Sequence, residues 1–414
     1  MKTLSLIRNM AAAANYYLFL LLLITLPFPW RISHTVWLVW MLFYLLEARF
    51  IGPRNSGLIS QNSGYNKPWL PFVMIAGYII LEVVSVSWSA DTHSAWSLIE
   101  RHLTLPFLIL VAFFGVNERY KSVTLLKTLS ASSVISVFVY LLVIYCVQNY
   151  HSILFYPTDP YHPFELPVRD GFTSNIKHRL FYCIVLICSL CSLPYLWRNG
   201  TLPRRQRTAM TILVALVLLA GIYLTFSRVA IIILAVVAVA MAVTNVRNRK
   251  QAIIATVVLV LLTGALVAAV LTNPRTQEWR LDPRVEIWKT AYKHSDEVPI
   301  YGLGAGQLHN FMTEKYHEEG LELQETFRFM PHNQYLSTYM ETGILGLVLL
   351  VTILLVFCRS FHNDTRRMAL LWSLVYAVSM FTDDTLERID PLITFIALSV
   401  VLICMENESL RQSY

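Results

Sequence analysis

The chain has 414 residues, of which 56% are hydrophobic and 14% charged, with a net charge of +7 and a mean hydropathy of +0.53. Soluble domains carry about 25% charged residues, so this composition excludes an ordinary soluble protein and points to a bilayer. The basic excess does not imply nucleic acid, because the lysines and arginines sort by loop rather than by patch.

Runs of about 20 apolar residues mark spanning helices. About twelve occur, at residues 11–28, 34–50, 69–88, 95–116, 122–147, 178–197, 208–226, 229–246, 252–272, 333–358, 367–382 and 390–405. With Met1 inside, the inner segments carry the bases, among them Arg49, Arg54 and Lys67, then Arg204, Arg205 and Arg207, then Arg247, Arg249 and Lys250, then Arg359, Arg366 and Arg367. The short outer loop Ser87–Ser94 has none. The positive-inside rule therefore places both termini in the cytoplasm. The small residues Ala11–Ala14 stand at the start of the first apolar run rather than after it, which predicts an uncleaved first helix and not a signal peptide. The organisation expected is nine spans over 1–272 with a smaller outer loop at 148–177, a large outer loop at 273–332, and three spans with a short inner tail over 333–414. Cys188 and Cys191 form C-x-x-C within an apolar span, where packing is the expected role.

The polar residues interrupting this pattern come next. Glu100, Arg101 and His102 open the fourth span and are expected to face either an outer cavity or the headgroups. Lys177-His178-Arg179 stands at the outer mouth of the sixth span, suited to a lipid headgroup or a substrate phosphate, or simply to snorkelling. Arg228 lies in the turn Leu224–Ala230, with the planar fork that suits phosphate oxygens. In the large outer loop, Arg280 and Arg284 flank Pro283, a plausible helix start. Gly302-Leu303-Gly304-Ala305-Gly306 reads as a flexible bend with no Lys-Ser/Thr after it, so it is no Walker loop. Leu308, Phe311, Met312 and Tyr316 recur at helical spacing within 307–329, which predicts an amphipathic helix lying on the outer membrane surface. Pro331-His332-Asn333 then enters the tenth span, with Asn333 a candidate helix cap.

Several familiar sites are missing. The sequence has no H-E-x-x-H, no D-x-D and no G-x-S-x-G, and it shows no His/Cys cluster or acidic pair that suggests a metal. Neither metal nor cofactor is expected. What remains at the outer face is Arg228, Arg284 and His332. That set suits transfer of a sugar from a lipid diphosphate, which already carries an activated leaving group. Two arginines neutralise charge on the departing diphosphate, and a neutral histidine takes the proton of the attacking hydroxyl.

Arg284-x-x-x-Trp288, Pro299-x-x-Gly302-x-Gly304-x-Gly306, His332-Asn333-x-Tyr335-Leu336 and Glu341-x-Gly343-x-x-Gly346 together resemble the signature of the O-antigen ligase and polymerase superfamily. Ser227-Arg228 also resembles that family's short arginine motif. The resemblance implies an all-α polytopic membrane protein with a GT-C-like fold, and a metal-independent inverting glycosyltransferase of the inner membrane with its active site at the periplasmic face. The donor would be a glycan on undecaprenyl diphosphate and the acceptor lipid A–core oligosaccharide. Arg228 and Arg284 would bind the diphosphate and His332 would activate the acceptor hydroxyl. Lys177, Arg179, Arg280, Trp288, Asn333 and Tyr335 complete the expected substrate-binding set. The acidic turn Asp383–Glu387 loosely resembles one that would orient His332. An O-antigen polymerase with the same donor is the alternative. A transporter is a second one, which would require paired broken helices and repeat symmetry.

Overall fold

The structure is a computed structural model, and the residues it describes are 2–51, 58, 67–149, 178–196, 203–225, 227–245 and 283–412. The expected span 252–272, nearly all of the outer loop 148–177, and the candidate residues Lys177 and Arg280 lie outside them.

The described residues are helical, without a strand among them. In chain order the helices are α1 (Lys2–Thr25), α2 (Trp30–Ile51), α3 (Leu70–Ser85), α4 (Thr92–His102), α5 (Thr104–Phe114), α6 (Ser122–Asn149), α7 (Arg179–Leu196), α8 (Arg204–Leu224) and α9 (Arg228–Asn245). After 283 come α10 (Pro283–Lys293), α11 (Leu308–Glu318), α12 (Glu322–Phe327), α13 (Gln334–Ser360), α14 (Asn363–Ser379) and α15 (Ile389–Gln412). Each expected span within the described residues coincides with a helix or, at 95–116, with the pair α4 and α5. Seven of these segments are long and apolar enough to cross a membrane: Leu70–Trp88, Thr92–Phe114, Ser122–Val143, Arg179–Leu196, Arg204–Leu224, Gln334–Ser360 and Ile389–Arg411. Asn9–Thr25 and Arg228–Thr244 are apolar but shorter. The protein is a multi-pass membrane protein.

A helix that is apolar all round belongs inside a bundle. The span formed by α15 is 89% buried and that of α7 78%, whereas the span of α8 is only 17% buried. So α7 and α15 are central, and α8 shows its Leu213, Leu216 and Tyr223 to the surroundings. Cys188 and Cys191 are buried in this core as packing residues.

The residues between 283 and 330 fold into their own small core at one end of the bundle. Ile287 and Ala291 of α10 meet Leu308, Met312 and Tyr316 of α11, with Met340 of α13 beneath. This corrects the sequence expectation on two points. The segment 307–329 is two helices separated at Gly320, and its apolar stripe is buried within the protein instead of lying on lipid. The i, i+4 spacing of Leu308, Met312 and Tyr316 sets a face; α10 supplies the partner for it.

The glycine-rich segment is likewise not a flexible bend. Within α13, Gly343 takes φ 71 and ψ −167 and breaks the helical ladder. The 300–304 segment enters that break. The Leu303 N–H donates to the Met340 carbonyl at 2.8 Å, the Gly304 N–H donates to the Glu341 carbonyl at 3.0 Å, and the Ile344 N–H donates to the Ile300 carbonyl at 3.1 Å. Backbone groups released by the break are thus paired inside the protein, the condition for irregular backbone in a bilayer. Only glycines permit the crossing. A Cβ on Gly343 would lie 2.6 Å from the Tyr301 carbonyl carbon, and one on Gly302 would lie 2.6 Å from the Glu341 carbonyl carbon.

Candidate active site

His332 sits where this end of the bundle meets the small core of residues 283–330. Its approach is fixed from both sides. The Trp288 indole N–H donates to the Pro331 carbonyl at 2.7 Å, and the Tyr316 hydroxyl donates to the Phe329 carbonyl at 3.0 Å. Asn333 caps α13, its side-chain oxygen accepting the Leu336 N–H at 3.1 Å. Between these anchors His332 takes φ 49, a left-handed backbone that costs an L-residue about 1–2 kcal/mol. Strained backbone of this kind concentrates at functional sites.

Around the ring, sequence-distant groups converge. Nδ1 of His332 lies 3.7 Å from Oδ1 of Asp383, and the other Asp383 oxygen lies 3.9 Å from Nδ1 of His178. The Asp383 side chain is 4% exposed and that of His332 21%. Nδ1 of His332 is itself buried and makes no hydrogen bond, so it is the rest of the ring that meets solvent. At 3.7 Å the pair is too long for a hydrogen bond and close enough for a strong electrostatic interaction. Burial pushes the Asp383 carboxyl up, but His332, His178 and Arg388 outweigh it and hold the group below its usual value. Asp384 next to it is raised by burial, despite accepting a hydrogen bond from the Ser337 hydroxyl at 2.7 Å. Glu387, raised well above the ordinary range by burial and then by the nearby charges of Asp384 and Glu341, completes an acidic turn that cannot ionise throughout. Burial among protein atoms, with the cations Arg388, Arg179 and Arg284, pushes His178 below the ordinary histidine value; its side chain is still 48% exposed, which limits the desolvation part.

The sequence expectation of no metal-like cluster is corrected here. His332, Asp383 and Asp384 each offer one ligand atom, all within 4.8 Å of one another. The cluster exists because the α14–α15 turn folds onto the start of α13, about fifty residues earlier in sequence. Part of its capacity is in use internally: Asp383 Oδ1 accepts the Asp384 N–H at 2.9 Å and Asp384 Oδ1 accepts from Ser337.

The other expected residues divide. Arg284 is half-buried in the first turn of α10, near enough to His178 to act on it. Arg179 opens α7 and acts on the same histidine. Arg228 is exposed at the first position of α9. Its turn packs on α7 through Thr225, whose hydroxyl is 3.1 Å from Cys183 Sγ. Trp288, Asn333 and Tyr335, expected to contact substrate, each make a hydrogen bond within the protein. Trp288 and Asn333 hold the backbone around His332 as described, and the Tyr335 hydroxyl donates to the Ala377 carbonyl at 2.9 Å while its ring lies 4.6 Å from Phe381. The sequence sets His178 among its basic neighbours and offers it as an alternative base to His332, but nothing in the spacing of 178 and 383 signals its contact with Asp383.

Fold and side chains together define a multi-pass membrane protein with a histidine, a buried acidic turn and several guanidiniums gathered at one end of its bundle. Residues 213–351 match the family model described as O-antigen ligase, and the match supports that family for this domain. The domain carries a surface-polysaccharide function of the ligase or polymerase type, the work of a glycosyltransferase-like enzyme. No curated protein matches the chain.

Proposed function

We propose that the protein is an O-antigen ligase, transferring O-polysaccharide from undecaprenyl diphosphate to lipid A–core oligosaccharide at the periplasmic face of the inner membrane. The observation that carries this reading is the placement of His332, inside the region that matches this family, beside Asp383, with guanidiniums at the same end of the bundle. Asp383 orients the imidazole through Nδ1, which leaves Nε2 to take the proton of the acceptor hydroxyl. The acceptor oxygen then bonds to the anomeric carbon as the carbon–oxygen bond to the diphosphate breaks, with inversion. The lipid diphosphate leaves with the electron pair, and Arg228 and Arg284 neutralise the charge that grows on it. A base and fixed cations suffice for this step, so the reaction needs no metal.

His332→Gln tests the base. Glutamine hydrogen-bonds but takes no proton near neutral pH, so transfer should fall by about 10²–10⁴-fold with normal insertion and donor binding. Near-normal turnover would reduce His332 to a positioning residue. The lipopolysaccharide of a deletion strain separates the alternatives: loss of all capped core indicates a ligase, and core carrying a single repeat unit indicates a polymerase.

A further inference from the structure

Beneath the acidic turn lies a second histidine–carboxylate pair that the mechanism does not use. His102, at the end of α4, is 1% exposed, and Glu82 of α3 is 2% exposed. Instead of facing a cavity or the headgroups, Nδ1 of His102 lies 2.8 Å from Oε2 of Glu82. Nε2 lies 3.1 Å from the Leu386 carbonyl oxygen. A carbonyl only accepts, so Nε2 carries the hydrogen.

The same Leu386 is held from its other side. Its N–H donates to the side-chain oxygen of Gln334 at 2.8 Å, and the Gln334 backbone N–H donates to the Met380 carbonyl at 2.8 Å. Gln334 is two residues from His332, and Leu386 is three from Asp383. The backbone of one residue is therefore gripped through its N–H and its carbonyl between the helix that follows His332 and the pair buried in α3 and α4. A buried ionic pair is a weak source of stability, since well-packed apolar side chains serve as well or better. What it supplies that leucines do not is a donor aimed at one carbonyl.

We propose that His102, oriented by Glu82, is a positioning residue for the transfer reaction: by holding the Leu386 carbonyl it sets the Asp383–Glu387 turn at the distance from which Asp383 orients His332. This rests on the reading of His332 as the base. Without the grip, the turn relaxes, and a displacement of about 1 Å at a catalytic group can cost about 10²-fold in rate.

The test is a double-mutant cycle on the purified enzyme, with undecaprenyl diphosphate-linked glycan as donor and lipid A–core as acceptor. His102→Leu should lower kcat by about 10–100-fold, with the donor KM within about twofold because the arginines are untouched. His102→Gln, whose amide can donate to Leu386, should recover most of the loss. Combined with Asp383→Asn, His102→Leu should add little, because both changes act through one contact. Should His102→Leu not accumulate in the membrane, His102→Asn takes its place, since its amide keeps a partner for Glu82 but is too short for Leu386. Additive losses in the cycle, a defect in KM alone, or a glutamine variant as poor as leucine would each overturn the proposal. A His332→Gln enzyme with full activity refutes the base itself, a result the cycle does not mimic.

Discussion

Replacing Gly343 by alanine tests whether the glycine motifs form a lock. At φ 71 and ψ −167 the residue occupies a region that is essentially reserved for glycine, at a cost of about 1–3 kcal/mol for any other side chain. The new methyl would also sit 2.6 Å from the Tyr301 carbonyl carbon, and overpacking of this kind costs about 1–3 kcal/mol more. The neighbours are backbone, so no side chain can swing away. The sum, about 2–6 kcal/mol, corresponds in a chain of 414 residues to a fall in melting temperature of roughly 2–7 °C. Gly77→Ala is the internal control. Gly77 lies in the middle of α3 with nothing within 4 Å of an added Cβ, and alanine there should be neutral or stabilising by up to about 1 kcal/mol. Tryptophan-fluorescence melts of the two variants in the same detergent give the comparison. A Gly343→Ala protein melting within about 1 °C of the parent or above it would refute the lock.

Arg228→Lys and Arg284→Lys retain charge but lose the bidentate fork; each should leave the protein in the membrane and lower transfer strongly, and full activity in both would mean that charge alone suffices. Excess chelator should leave transfer intact; loss of activity restored by Mg²⁺ or Mn²⁺ would instead make His332, Asp383 and Asp384 metal ligands. A cysteine in place of Tyr292, which is 81% exposed on α10, should react with an impermeant thiol reagent in intact spheroplasts. Labelling of that cysteine only after permeabilisation would invert the topology and remove the proposed access to a periplasmic acceptor.

Local chemistry in the sequence anticipated local structure well. Pro283 does begin a helix, and Asn333 does cap one, because both effects act over three or four residues. The apolar runs marked the helices because hydropathy decides what a bilayer accepts. Contacts between distant segments were not legible. A glycine inside an apolar run reads as a tolerated weak spot, so the break at Gly343 appears only once Ile300–Gly304 is seen inside it. The stripe Leu308, Met312 and Tyr316 was read correctly as one face, but lipid and α10 bury such a face equally well. The acidic turn was visible as a string of acids, whereas its contacts with His332 and His178 span sequence separations that no periodicity encodes.

The division between the matched domain and the rest bears on what the protein transfers its glycan to. Arg228, Arg284, His332 and the interlocking glycines fall within 213–351, the region shared with the family. Asp383, His178, His102 and Glu82 fall outside it. On the proposed function, ligases and polymerases share a lipid-linked donor, so the motif residues inside the match are the ones suited to donor handling and proton removal. They cannot by themselves separate one acceptor from another. The exposed surface of α11 and α12, inside the match but outside the arginine, glycine and histidine motifs, is proposed as the place where an acceptor sugar meets the protein. Exchanging that surface between a ligase and a polymerase, with His332 and the arginines unchanged, is therefore the substitution by which acceptor choice should move while donor use stays.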